Sequence, residues 1–263
     1  MINDIFGNFQ HWFMDSSDPE DIQDDDFLSH HHDVISQDVN SDIDHIPHTD
    51  FSGFNIVDDF PHLFDWFIPD NQWDVTDFNG FGEPIEDADF WHQQSGQSSC
   101  AIVAQTSIFE AITGVHISEE KACEIAQENG WFDPDIGTHP RDVGKLLNEL
   151  GVPTEQKYDG HLEDIADALE KGDHVIVALD ANEIWYPMRD ADGTAIEQPN
   201  GGHAVWVTGI DTQADGSVKI ILNDSGHPDG QMKAIDAVDF LNAWNDYSNF
   251  IVVADAPDNT ISA

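Results

Sequence analysis

The chain has 263 residues, 40% of them hydrophobic, enough for one large or two small domains with a substantial core. Its charge is extreme: 8 Lys and Arg against 53 Asp and Glu give a formal net charge of -45, and every basic residue lies at or after Lys121. A field of that sign repels nucleic acid and anionic membrane surfaces and attracts cations or basic partners, so nucleic-acid binding is the class that composition excludes first.

Two cysteines, Cys100 and Cys123, exclude a dense disulfide framework and allow at most one bridge. No apolar run approaches a membrane span, and the N-terminus lacks the basic and apolar regions of a signal peptide. The expectation is a soluble chain without membrane insertion, cytoplasmic or exported without a recognisable cleavable signal.

Residues 1–90 are rich in Asp, Asn, Ser and His with scattered Phe and Trp, and they show no sustained helical or strand period. Without basic residues to pair its carboxylates, this segment is expected to be a largely disordered acidic extension. Asp50-Phe51-Ser52-Gly53-Phe54 recurs as Asp77-Phe78-Asn79-Gly80-Phe81. The recurrence reads as low complexity or as short motifs through which the extension docks a partner. His30-His31-His32-Asp33 offers ligand chemistry for a metal. Consecutive side chains cannot all face one ion without a defined backbone, so a solvated polar run is the simpler reading.

From Trp91 the composition is that of a globular domain, expected over 91–256 with a tail at 257–263. The run Gln94-Ser95-Gly96-Gln97-Ser98-Ser99-Cys100 leads into Ala101-Ile102-Val103-Ala104-Gln105, which places a cysteine where a helix begins. The positive end of the helix dipole stabilises a thiolate there. Apolar residues continue at helical intervals to Ile112, and Gly114 suits the C-terminal cap. Ser118 is a candidate N-cap for a second helix, which carries Cys123 as a structural residue and ends near Gly130. A third helix is expected over 141–150 after Pro140, and a fourth over 161–171 before Gly172. The period then changes. Strands are expected at 174–179, 203–210, 218–224 and 250–254, with one more helix at 236–244. Helices first and strands later predict an α+β domain with a mainly antiparallel sheet.

A thiol nucleophile needs a base, and the base needs a group that orients it. Among the downstream histidines His203 stands out. It follows Gly201-Gly202, which lets a substrate approach the backbone, and it opens an apolar strand. His174 begins a strand after a simple connection, and His161 and His227 read as loop residues. The Asp-Gly turn signal at Asp215-Gly216 predicts a hairpin. Folded symmetrically, it pairs Ile210 with Ser217 and sets His203 opposite Asp224. His203, Val205 and Val207 then share a face with Val218, Ile220, Leu222 and Asp224. Asn223 points the other way and is the reserve orienter, which a bulge would bring into play.

The run from about Trp91 to Asp255 resembles the papain-like cysteine peptidases, and within them the C39-like peptidase family. The resemblance rests on Gln94 six positions before Cys100, on Gly137 to Gly151, on Gly202-His203-Ala204-Val205-Trp206-Val207-Thr208-Gly209-Ile210-Asp211, on Ile221-Leu222-Asn223-Asp224 and on Phe240-Leu241-Asn242-Ala243-Trp244. It implies a papain-like fold with Cys100 as nucleophile, His203 as base and then acid, Asp224 as orienter and Gln94 as oxyanion-hole donor, with no metal or organic cofactor. Gln93 and Gln97 compete with Gln94, which has the family spacing. The usual Cys-Gly pair is Cys100-Ala101 here, a small helix-favouring change that does not forbid the chemistry. The expected function is that of a thiol-dependent hydrolase, a peptidase or amidase, acting on a peptide or protein substrate, basic or neutral given the charge. The rivals are a non-catalytic peptide-binding domain, an acyl transferase with transglutaminase-like chemistry, and an acidic interaction protein acting through its N-terminal extension.

Overall fold

The computed structural model describes residues 78–256. The motif at Asp50–Phe54, the run His30–Asp33, most of the expected acidic extension and the expected tail lie outside the described residues.

The elements in chain order are β1 (Gly80–Gly82), α1 (Pro84–Asp87), a 3-10 turn (Ala88–Phe90), α2 (Cys100–Thr113), α3 (Glu119–Glu128), a second 3-10 turn (Pro140–Asp142), α4 (Lys145–Glu149), β2 (Thr154–Lys157), α5 (Leu162–Lys171), β3 (His174–Asp180), α6 (Ala181–Trp185), β4 (Gly202–Thr212), β5 (Val218–Asn223), β6 (Lys233–Asp236), α7 (Ala237–Asn245) and β7 (Ile251–Ala254). The expected α+β class holds, with a helix-rich first half. The strands form one antiparallel sheet in the order β2-β7-β3-β4-β5-β6, and β1 pairs with the far half of β4, Gly80 against Asp211 and Gly82 against Gly209. No helix among the described residues is long and apolar enough to cross a membrane.

Alternation along the strands sorts the core into two layers. Val175, Val177, Leu179, Val205, Val207, Ile220 and Leu222 pack with residues of α5 and α7, including Ile165, Phe240 and Trp244. Ile176, Ala178, Ala204, Trp206 and Val252 face Ala101, Ala104 and Ile108 of α2. The other side of α2 meets α3 through Ile102, Ala122 and Ala126. Every residue from Ala101 to Phe109 is buried, so α2 is a central helix wedged between sheet and α3 rather than an amphipathic one.

Three expectations are corrected. The domain begins upstream of Trp91, because β1 joins the sheet and Asn79 N–H donates to Asp211 Oδ1 at 2.8 Å. The helix expected over 141–150 is broken at Gly144, which has φ 94° and gives its N–H to the buried Gln105 Oε1 at 2.9 Å. A partner 39 residues away thus outcompetes the local helical bond. The third correction is the hairpin register. β4 runs on to Thr212, and the turn closes with Gln213 N–H on Ser217 O at 2.8 Å. Ile210 therefore pairs with Ile220, and a bulge between Val207 and Gly209 resets the pairing to Val207↔Leu222 and Trp206↔Asn223. That bulge, far from exchanging Asp224 for Asn223, restores the alternation and leaves His203 on the side of Leu222 and Asp224.

Candidate functional site

Cys100 is the first residue of α2, so its sulfur lies at the helix start, where Ala101 N–H bonds it. The preceding loop is clamped from α3. Glu119 Oε2 accepts from Ser95 N–H and Ser95 Oγ, both at 2.8 Å, while Oε1 accepts from Gly96 N–H at 2.9 Å and Ser99 Oγ at 2.6 Å. Burial pushes the Glu119 carboxyl up, but these donors outweigh it and hold it below its ordinary value. In the sequence Glu119 reads only as a first-turn acid of α3, because nothing local announces a partner some twenty positions away.

β4 presents His203 from its second residue, and Asp224 follows the last residue of β5. The two are not cross-strand neighbours, since pairing ends at Trp206↔Asn223, yet His203 Nε2 lies 2.6 Å from Asp224 Oδ1. His203 is 8% exposed and Asp224 0%. Oδ1 also accepts from Gly226 N–H at 2.7 Å, Oδ2 accepts from Trp185 Nε1 at 2.6 Å, and the Asp224 carbonyl accepts from Trp91 Nε1 at 2.7 Å. Trp185 stacks on His227 at 3.5 Å between ring centroids and carries Lys233 Nζ 4.6 Å from its ring centre. Neither tryptophan nor Gly226 was legible as a site residue. Each acts through a bond fixed by the tertiary fold.

The Cys100 sulfur bonds the His203 imidazole and the backbone N–H groups of Ala204 and Ala101. With Nε2 committed to Asp224, Nδ1 is the nitrogen left for the sulfur. Burial raises the Cys100 pKa, but the imidazole and the N–H groups reverse this and lower it. Burial opposes a charge on His203, and Asp224 and Cys100 together overcome it and raise His203 well above its ordinary 6.5. Burial would raise Asp224, which His203, Trp185 and Gly226 hold below its usual value. All three directions favour a thiolate and an imidazolium braced by a carboxylate.

Gln94 lies between this carboxylate and the cysteine loop. Its N–H donates to Ser225 O at 2.9 Å, its Oε1 accepts from Ser225 Oγ at 2.9 Å, and its Nε2 donates to Gly96 O at 2.8 Å. Both ends of the amide are thereby oriented, and the NH2 group has a second N–H that this bond does not use. Gln93 and Gln97 are exposed.

The remaining candidates stand apart. Asn223 turns away to give Nδ2 to Asp87 O at 2.8 Å and to receive Met232 N–H at 3.1 Å. Burial pushes His174 down to about 4 beside the Trp206 ring, and His161 N–H caps α5 through Asp164 Oδ2 at 2.8 Å. Cys100 and Cys123 are both free thiols, and Cys123 is pushed up to about 11 by burial and by Glu119. Gly201 and Gly202 make room for protein rather than for substrate alone. A Cβ on Gly202 would fall 2.7 Å from the Tyr247 hydroxyl, and one on Gly201 would fall 2.9 Å from Asn182 Nδ2.

Gly226 offers a test of this geometry, since a Cβ there would lie 2.8 Å from His203 Cε1 and 3.1 Å from Nε2. Gly226→Ala is expected to displace the imidazole. Alkylation of Cys100 at pH 7 should slow by roughly ten- to a hundredfold. The melting temperature should fall as well, because the added Cβ presses on the buried His203–Asp224 pair although Gly226 itself lies at the surface.

Comparison with known proteins places these residues in context. The model of the Peptidase_C39 like family matches residues 85–252, a span that contains all four. The uncharacterized protein Rv1268c of Mycobacterium tuberculosis is 28% identical over 199 residues, covering 66% of this chain and 83% of its own. A candidate C39-like peptidase from Bacillus anthracis is 10% identical with a TM-score of 0.48, over 68% of this chain and 98% of the other. The bromelain protease from Ananas comosus in complex with the E64 inhibitor is 14% identical with a TM-score of 0.33, over 69% and 95% respectively.

Proposed function

Because the chain belongs to the Peptidase_C39 like family, we propose that it is a thiol-dependent hydrolase of peptide or amide bonds, with Cys100 as nucleophile, His203 as base and then acid, Asp224 as orienter and Gln94 as oxyanion donor. The observation that carries the proposal is the continuous chain of hydrogen bonds from a helix-start sulfur through a buried imidazole to a buried carboxylate.

In this reaction the thiolate attacks the substrate carbonyl carbon, and the developing oxyanion is received by the second N–H of the Gln94 amide and the Cys100 backbone N–H. His203 gives its Nδ1 proton to the leaving amine, and the bond to that amine breaks. His203 then takes a proton from water, whose oxygen attacks the acyl carbon; the carbon–sulfur bond breaks, the acid product leaves, and the Cys100 thiolate and His203 imidazolium are restored. Asp224 keeps the ring in one orientation throughout. Trp185 and Gly226 keep Asp224 in place. None of these steps calls for a metal or organic cofactor. The acidic field favours basic or neutral peptides, a preference that added salt should weaken.

The test is the pH profile of labelling by iodoacetamide. With the Cys100 pKa lowered, its thiolate forms at a lower pH than an ordinary thiol, whose value is 9.0. Labelling of Cys100 at pH 7 should be faster than that of an ordinary thiol, with its rise displaced to lower pH. In His203→Ala the profile should move upward and the rate at pH 7 should fall more than tenfold, toward a thiol ionised to a few per cent. Cys123, at about 11, should stay unlabelled at pH 7 in both proteins. Slow, equal labelling of Cys100 in both would end the catalytic reading.

A further inference from the structure

Beside the cysteine site, four carboxylates from four segments converge. Asp180 ends β3, Glu183 lies in α6, Asp246 follows α7 and Glu197 belongs to the connection between α6 and β4. Carboxylate oxygens of Asp180, Glu183 and Asp246 lie within 4.8 Å of one another, and Glu197 is in hydrogen-bonding contact with Asp246. Among the described residues no Lys, Arg or His ion-pairs with any of the four.

Such a knot is common on acidic surfaces, but here its inner oxygens are closed over. Asp180 is 0% exposed, and its Oδ1 accepts from Asn182 N–H at 2.8 Å and Gly201 N–H at 2.9 Å. Its Oδ2 is sealed from solvent with no partner, and so is Asp246 Oδ2. Two orphaned buried carboxylate oxygens in one cluster are costly unless something positive sits between them. Glu183 is 2% exposed, and Gln198 N–H donates to its Oε1 at 2.9 Å, leaving lone pairs on that oxygen for a further partner. Two carboxylates in contact, Glu197 and Asp246, also need a shared proton or cation.

We propose that Asp180, Glu183, Asp246 and Glu197 form a structural divalent-cation site selective for Ca2+. The donors are all hard oxygens. Ca2+ holds such ligands at about 2.4 Å in irregular shells that carboxylates from four separate segments can supply, whereas Mg2+ requires about 2.1 Å and near-octahedral order. The site ties together the ends of β3 and α7, the helix α6 and the long connection back to β4. Asp180 pairs with Gly202 and Leu179 with His203, so the ion would brace the strand that presents the imidazole. The site is independent of the chemistry at Cys100 and is tested without it.

The full chain, stripped with a chelator, is titrated with Tb3+ and its luminescence excited through the protein's aromatic residues. Tyr247 follows Asp246, and its hydroxyl lies against Gly202, so a sensitiser is at hand. With so many acidic residues, weak binding is expected everywhere. The readout is therefore the tightest class of sites. One such class, displaced by Ca2+ at least tenfold more readily than by Mg2+, is expected in the native chain and in Glu170→Gln, an exposed control on α5. Asp246→Asn and Glu183→Gln should weaken it at least tenfold and remove the rise in melting temperature that Ca2+ produces. Glu197→Gln, at an exposed position, should weaken it severalfold and covers the case in which either of those variants fails to fold. Tight binding unchanged in folded Asp246→Asn or in Glu197→Gln would overturn the proposal, as would a native chain with no tight class.

Discussion

Asp224→Ala is expected to slow the alkylation of Cys100 at pH 7 by about tenfold or more, as the thiol returns toward the few per cent ionised of an ordinary cysteine. Asp224 is the charge that sustains a proton on the buried His203, and that proton in turn sustains the thiolate. The substitution also strips His203 Nε2, Trp185 Nε1 and Gly226 N–H of their acceptor. Removing one partner of a buried ion pair costs about 3–5 kcal/mol, so a large fall in melting temperature should accompany the loss of reactivity. Asp224→Asn separates the two effects. Its carbonyl oxygen can still accept from Trp185, so much of the stability should remain, while the reactivity should fall because the charge is gone. A native pH profile in a folded Asp224→Asn protein would show that this charge does not ionise Cys100.

The same pair sets a pH window for stability. Asp224 is held below its ordinary 3.8, so its contribution is complete above that value and lost as pH falls through the lowered one. His203 is held above 6.5, so its contribution is complete below 6.5 and lost as pH rises through the raised value. The native protein should exceed Asp224→Ala in stability most between about pH 4 and 6.5, and denaturant midpoints of the two across pH measure it.

A chain cut to begin at Ala88 is expected to be much less stable than one cut to begin at Phe78. The shorter chain loses β1 and its pairing with Gly209 to Asp211, and Phe81 no longer packs against the core. It also loses the Asn79 N–H bond to Asp211 and the Asp87 carbonyl that Asn223 Nδ2 reaches. Asp211 is 0% exposed and Asn223 4%. Two buried polar groups that each lose one of their hydrogen bonds cost about 1–3 kcal/mol each, or roughly 5 to 20 °C in melting temperature for a domain of this size. Equal melting temperatures for the two cuts would mean that β1 is an ornament of the sheet. The contact between Asn223 and Asp87 also places this segment one residue from Asp224, so the shorter chain should show slower Cys100 labelling.

Much of this was legible because backbone geometry imposes short periods that the residues must obey. Ser99 to Ala104 marks a buried helix start, Gly114 adopts φ 70° at the end of α2, and Ser118 Oγ accepts Lys121 N–H at 3.3 Å. Alternation in Val205 to Val207 and Val218 to Leu222 assigns the face that His203 and Asp224 share. The short elements β1, β2, α6 and β6 carry too few residues to display a period, and α4 is interrupted by a bond to Gln105 that no local pattern reveals.

What the sequence by itself determined is therefore the α+β class, the long helices and strands, and which chemistry-bearing residues stand at element ends. Only the tertiary structure decided the register. The partner of Ile210 lies three residues further along than symmetry suggests, and a one-residue bulge restores the facing of His203, because the packing of Val207, Ile210 and Leu222 outweighs the simplest hairpin. Only it, too, could bring Glu119 to the cysteine loop, Trp185 to Asp224 and Asp180 to Asp246. Local periodicity is written in neighbouring residues, whereas these contacts join segments whose meeting is set by burial of the whole core.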